Sequence, residues 1–106
     1  MLMNLLDETV EDLKEYGYTP KNVIAVGDLD EGYSTWDDFA LRAKKINYDN
    51  RYGAVEINLD LTIWLDDGRF FERQEYNGSE LWWRRSTCVP ILPKKGKYNI
   101  LYEEEE

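Results

Sequence analysis

The chain contains no histidine, one cysteine (Cys88), three prolines and no long apolar run. Without histidine, Ser–His–Asp and Cys–His catalytic sets cannot be assembled, and every metal site that relies on imidazole is excluded. A single thiol excludes a disulfide scaffold and a zinc knuckle and fits a reducing compartment. With no histidine beside it, Cys88 reads as a structural group. No segment approaches the roughly 20 apolar residues of a membrane span. The start, Met1-Leu2-Met3-Asn4-Leu5-Leu6, lacks the basic opening and long apolar stretch of a secretory signal, and acids follow at once. Bases are scarce as well: 13 Lys and Arg stand against 22 Asp and Glu, a net of −9. That charge opposes approach to nucleic acid and to an anionic membrane. The expected compartment is the cytoplasm.

What is present is enough for a core. Apolar residues make up 42% of the 106 residues and aromatics 14%, which suits one compact domain over residues 1–102 with an acidic tail at 103–106. The charge is uneven. Residues 1–38 carry ten acids against Lys14 and Lys21, whereas residues 39–102 carry eleven bases against eight acids. This is the pattern of an acidic half joined to a slightly basic one, suited to steering toward a basic partner.

Leu6, Val10 and Leu13 recur at i, i+4, i+7 and predict a helix over about 4–16, with Asn4 as N-cap and Gly17 as the stop. Val23-Ile24-Ala25-Val26 reads as a strand. Ser34 or Thr35 opens a second helix, with Trp36, Phe39, Ala40 and Ala43 on one face. Residues 47–53 are turn-rich. Over 55–65, Val55, Ile57, Leu59, Leu61, Ile63 and Leu65 alternate with polar residues or Trp64, a period of two that marks a strand. Asp67-Gly68 and Asn77-Gly78 are hairpin signals, so 69–76 and 80–87 continue an antiparallel meander over 54–88. Pro90 and Pro93 flank a short edge piece, and 98–102 is a candidate last strand. The expected fold is α+β, with two helices on one face of a four- or five-stranded, mostly antiparallel sheet.

Two-residue loops at both turns would pair Leu65 with Phe70, and then Tyr76 with Ser79 and Glu72 with Trp83. The covered face would hold Phe70, Tyr76, Leu81 and Trp83. Trp64, Phe71, Arg73, Glu75, Glu80, Trp82 and Arg84 would lie on the opposite, open face. Trp and Arg dominate interface hot spots, so that open face is the candidate partner-binding surface. A second copy of the chain, or the C-terminal segment, is the alternative cover. A three-residue loop with Gly68 or Gly78 in a bulge would reverse the grouping.

Other chemistries are weaker. Asp28-Leu29-Asp30-Glu31-Gly32-Tyr33-Ser34 resembles a calcium loop only at first, since Gly32, Tyr33 and Phe39 occupy the places of an oxygen ligand, Gly and Glu. Asp28, Asp30 and Glu31 instead read as an acidic loop that adds to partner steering. Asp60, Glu72 and Glu75 could supply carboxylates to a metal-dependent nuclease, but no lysine accompanies them. Glu75 and Glu80, opposite each other across a turn, have no cleft for a glycoside. Trp82-Trp83-Arg84-Arg85 and Lys94-Lys95-Lys97 suit a single-stranded nucleic acid, against which the net charge stands. Nothing in the chain calls for a metal or a cofactor.

The turn Asn47-Tyr48-Asp49-Asn50-Arg51-Tyr52-Gly53, the strand after it, and Phe71-Glu72-Arg73-Gln74-Glu75-Tyr76-Asn77-Gly78-Ser79-Glu80-Leu81-Trp82-Trp83 resemble small phage and prophage proteins of Gram-positive bacteria. Those carry a YD-GYG turn and an ER-EYDGSEWW hairpin, and the likeness covers about residues 35–85. Arg51 stands where that group often has Gly, and Leu81 is an extra residue before the Trp pair. The resemblance implies a phage accessory protein, gives no activity, and favours host-takeover or counter-defence roles such as those of anti-CRISPR inhibitors. The expected function is a non-enzymatic protein that binds and inhibits a larger, basic host protein in the host cytoplasm. A self-associating structural or regulatory phage protein is the alternative, and the metal-dependent nuclease is third.

Overall fold

The computed structural model describes residues 2–28, 30–49, 55–76, 79–85 and 95–102. The expected turns at 50–53 and Asn77-Gly78, Cys88, the Pro90–Pro93 piece and the tail at 103–106 lie outside them. The fold is α+β: two helices and two antiparallel sheets.

Strand β1 (Leu2–Asn4) runs into helix α1 (Leu5–Glu15). Asn4 caps α1 by accepting from the Asp7 amide, and its Nδ2 also donates to the Lys44 carbonyl. Asp7 and Glu8 in the first turn and Lys14 in the last complement the helix dipole. The buried stripe is Leu5, Glu8, Thr9 and Leu13, not the expected Leu6, Val10 and Leu13. Leu6 and Val10 are half-buried, and the rotation brings two polar residues under cover. Strand β2 (Val23–Asp28) and β3 (Gly32–Ser34) follow, then α2 (Trp36–Ala43) with Thr35 as its cap and Phe39 and Ala43 buried. Asn47–Asp49, expected in a turn, is strand β4 and pairs with β1.

The main sheet has the order β3-β2-β5-β6-β7, where β5 is Leu61–Leu65, β6 is Phe70–Tyr76 and β7 is Ser79–Arg85. The long strand expected over 55–65 is therefore shorter. Residues 59 and 60 turn, the Asn58 carbonyl accepts from the Leu61 amide, and Ile57 forms only a single bridge to Leu101. The expected last strand at 98–102 is likewise only that bridge, with Tyr98 and Ile100 buried. Every residue of β5 is buried, on both faces of the sheet.

The first hairpin differs from the two-residue loop by one residue, and that changes everything after it. Trp64 pairs with Phe70, Ile63 with Phe71 and Thr62 with Glu72. The loop is Asp66-Asp67-Gly68: the Leu65 amide donates to the Arg69 carbonyl, and Gly68 adopts φ 90°. Only glycine takes that conformation cheaply. Asp67 reinforces the loop by accepting from the Arg69 amide and from the Tyr18 hydroxyl at 2.6 Å. Tyr18 and Arg69 together hold the Asp67 carboxyl below its ordinary range. The second hairpin keeps the expected pairing, Tyr76 with Ser79 and Glu72 with Trp83. Both helices cover the face bearing Val26, Leu61, Ile63, Leu65, Phe71 and Trp82.

Candidate functional site

The shifted register moves the expected partner-binding residues. Phe71, Arg73, Glu80 and Trp82 are buried on the inner face beneath the helices. Glu75 and Arg84 share that face by strand alternation, Glu75 exposed and Arg84 half-buried with its guanidinium 4.8 Å over the Tyr16 ring. Trp64 lies on the other face and is 1% exposed. The expected open aromatic face is thus corrected: most of it is interior, because the extra turn residue reverses β6 and β7 relative to β5.

The charges inside are held by α1. Arg73 is enclosed and reaches Glu8 Oε2 at 3.3 Å and the Tyr48 hydroxyl at 2.7 Å. Tyr48 donates to Glu8 Oε1 at 2.5 Å, and the Trp82 indole N–H donates to Thr9 Oγ1 at 2.8 Å. The guanidinium also stacks over the Trp82 ring at 4.8 Å. Glu80 accepts from the Glu56 and Ile57 amides, both at 2.9 Å, and lies 4.0 Å from Arg73. Burial, with Glu8 close by, keeps the Tyr48 phenol protonated well above its usual range. This cluster ties α1, β4, β6 and β7 together. Glu8, Thr9 and Tyr48 escaped the sequence reading, although Thr9 falls one turn from both Leu5 and Leu13, and Glu8 one turn from Leu5.

Asp12 sits beside the cluster. Burial first, then the neighbouring Glu8 and Glu15 carboxylates, push its pKa up to about 6, against the pull of Arg73. An acid whose pKa is raised on folding is held protonated more easily in the native state, so its penalty appears as pH rises from about 4 to 6. Asp12→Asn is expected to raise stability by up to about 1 kcal/mol at pH 8, after allowance for solvent screening, and to leave it unchanged at pH 4. Urea unfolding at the two pH values checks this, and equal effects at both would contradict it.

Asp28, Asp30 and Asp60 bring one carboxylate oxygen each to within 4.8 Å of one another. The calcium-loop comparison contained two of them, and the turn before β5 adds the third. Three carboxylates suit a hard cation in type. Here the two oxygens of buried Asp28 are taken up by the Asp30 amide at 2.8 Å and Asn58 Nδ2 at 2.7 Å. Burial, together with Asp28 and Asp30, raises the Asp60 pKa. Glu72 and Glu75 fall on opposite faces of β6 and do not join Asp60 in a single carboxylate set. Asp30 and Glu31 are exposed, as steering requires, whereas Asp28 is not.

The outer face offers different residues. Trp83 is 48% exposed there, with the Arg85 guanidinium 5.4 Å from its ring centre. Glu72 holds Arg85 at 2.6 Å and accepts from Gln74 at 3.0 Å. Half-buried Leu81 and Phe70 share this face. A groove of about 740 Å³ lies elsewhere, lined by Ser34, Asp38, Arg42, Lys97 and Tyr98 among others, in which the Ser34 and Tyr98 hydroxyls bond at 2.7 Å. No family model, curated protein or solved structure matches this chain. Its function is therefore read from these surfaces. Among the described residues no helix is long and apolar enough to cross a membrane.

Proposed function

We propose that this is a non-enzymatic binding protein that acts by occupying a surface on a larger, basic protein. The observation that carries the reading is Trp83, a large indole left half in water and braced by Arg85 and Glu72. Trp and Arg concentrate binding energy, and a side chain already held in place loses little freedom on docking. Asp7, Glu11, Glu15, Asp30, Glu31, Asp37 and Asp38 are exposed on the acidic half and supply long-range attraction to a positive partner. With the resemblance of about residues 35–85 to phage and prophage proteins, the concrete version is a counter-defence inhibitor of the anti-CRISPR type, working in the host cytoplasm.

The test is capture of host proteins by immobilised wild type and by Trp83→Ala. The wild type should retain a basic protein that Trp83→Ala binds at least about 30-fold more weakly, as loss of a hot spot predicts. The association rate for that protein should fall steeply with added salt. Equal retention by both proteins would remove Trp83 from the interface, and a salt-independent rate would remove the steering.

A further inference from the structure

We infer that two copies of this chain pair antiparallel along β7, extending the five-stranded sheet across a two-fold axis at Trp82. β7 ends the sheet, and among the described residues no strand pairs along its outer edge. Soluble proteins blunt such edges with lysine, proline, bulges or very short strands. β7 has no lysine, proline or bulge, and its inward-pointing charges are Glu80 and Arg84; Ser-Glu-Leu-Trp-Trp-Arg-Arg holds one unbroken register with β6 over seven residues. Among the described residues nothing pairs with its outward N–H and C=O groups, which offer a template for another strand.

The occupant is a second copy because the strand is complementary to its own reverse. Bonding two edges requires that the outward-pointing residues of one meet those of the other, so the two numbers in each facing pair sum to an even value. Three registers centre on the middle of β7, at Leu81, Trp82 or Trp83. A centre at Leu81 or at Trp83 leaves residues at one end without partners. A centre at Trp82 pairs all seven. It sets Glu80 opposite Arg84 twice, Leu81 opposite Trp83 twice, Ser79 opposite Arg85 twice, and Trp82 opposite its copy. Opposite charges and aromatic–aliphatic pairs are the favourable cross-strand combinations, and they fall on the correct faces. Arg84 Nε is buried with no hydrogen-bond partner among the described residues. The isologous contact closes after two copies. It also sets both Trp83 side chains on one outer surface, each beside the other copy's Leu81, so dimerisation and binding through Trp83 are compatible.

Sedimentation without any partner tests the pairing. The wild type should shift from 12.6 kDa to twice that mass as concentration rises, with slower amide exchange confined to β7 at high concentration. Ser79→Lys puts a lysine against Arg85 of the other copy and should weaken the dimer about tenfold, whereas Ser79→Glu should tighten it by a similar factor. Position 79 is half-buried at a hairpin end, so neither substitution threatens the fold. A monomer at every concentration would overturn the inference. So would a dimer indifferent to both substitutions, whose β7 exchange does not depend on concentration. Capture through Trp83 is measured separately, and failure of one reading leaves the other standing.

Discussion

Arg73→Ala is expected to cost about 3–5 kcal/mol of folding stability, the usual penalty for removing one member of a buried charge set. Arg73 contributes the cation to a cluster in which Glu8 and Glu80 are both buried. Its removal leaves those carboxylates facing one another, and Tyr48 loses its donor. The loss is a large share of the roughly 5–15 kcal/mol typical of a domain and lowers Tm by at least about 12 °C. Arg73→Lys should rescue only part of this, because an ammonium cannot bond Glu8 and Tyr48 while stacking flat on Trp82. The double variant Glu8→Gln with Arg73→Met should cost less than the two single changes added together, since the pair is removed as a unit. Chemical denaturation of these five variants and the wild type is the measurement. A loss under about 1 kcal/mol for Arg73→Ala would show that water enters and the cluster is not closed.

The second large effect distinguishes the two hairpin registers. Phe71→Ala should destabilise by about 3–5 kcal/mol, as deletion of a fully buried ring does. Phe71 is 1% exposed and packs against Tyr16 at 5.7 Å and Tyr18 at 6.2 Å, centre to centre. Phe70→Ala, one residue earlier on the half-buried outer face, should cost clearly less. The same contrast holds one strand on: Trp82→Ala removes a core residue that is 5% exposed, whereas Trp83→Ala should change stability by no more than about 0.5 kcal/mol. If the Phe70 and Trp83 changes were the damaging ones, the two-residue loop would be the correct one.

Those contrasts mark where pattern reading of this chain succeeds and where it stops. Asn4, Thr35 and Gly17 locate the helix ends because capping is local chemistry. Asn77-Gly78 gives the correct pairing of β6 with β7, since the loop length follows from the dipeptide. Asp66-Asp67-Gly68 does not announce its length, because Asp-Gly serves both a two-residue turn and the last two places of a three-residue one. Tyr18, far away in sequence, donates to Asp67 and reinforces the three-residue form. Counting apolar residues then favours the wrong face: Phe70, Leu81 and Trp83 look drier than Phe71, Arg73, Glu80 and Trp82. The native choice makes sense only with Glu8 and Tyr48 supplying partners for Arg73, and these sit 65 and 25 residues away. The exposed aromatic face differs from the expected one for the same reason. Trp83 is at the surface because Trp82 is not.

The doubled residues Phe70-Phe71, Trp82-Trp83 and Arg84-Arg85 have a consequence for how the chain folds. A hairpin slipped by one residue would still offer a Phe and a Trp to the core, so the sheet alone discriminates poorly between the two arrangements. Only the native one leaves Arg73 facing Glu8, and that pairing waits until α1 docks. Register selection therefore rests on the docking of α1 as well as on the sheet. A single-residue deletion in the Asp66-Asp67-Gly68 loop would favour the slipped arrangement, turning the same backbone trace inside out with respect to its side chains.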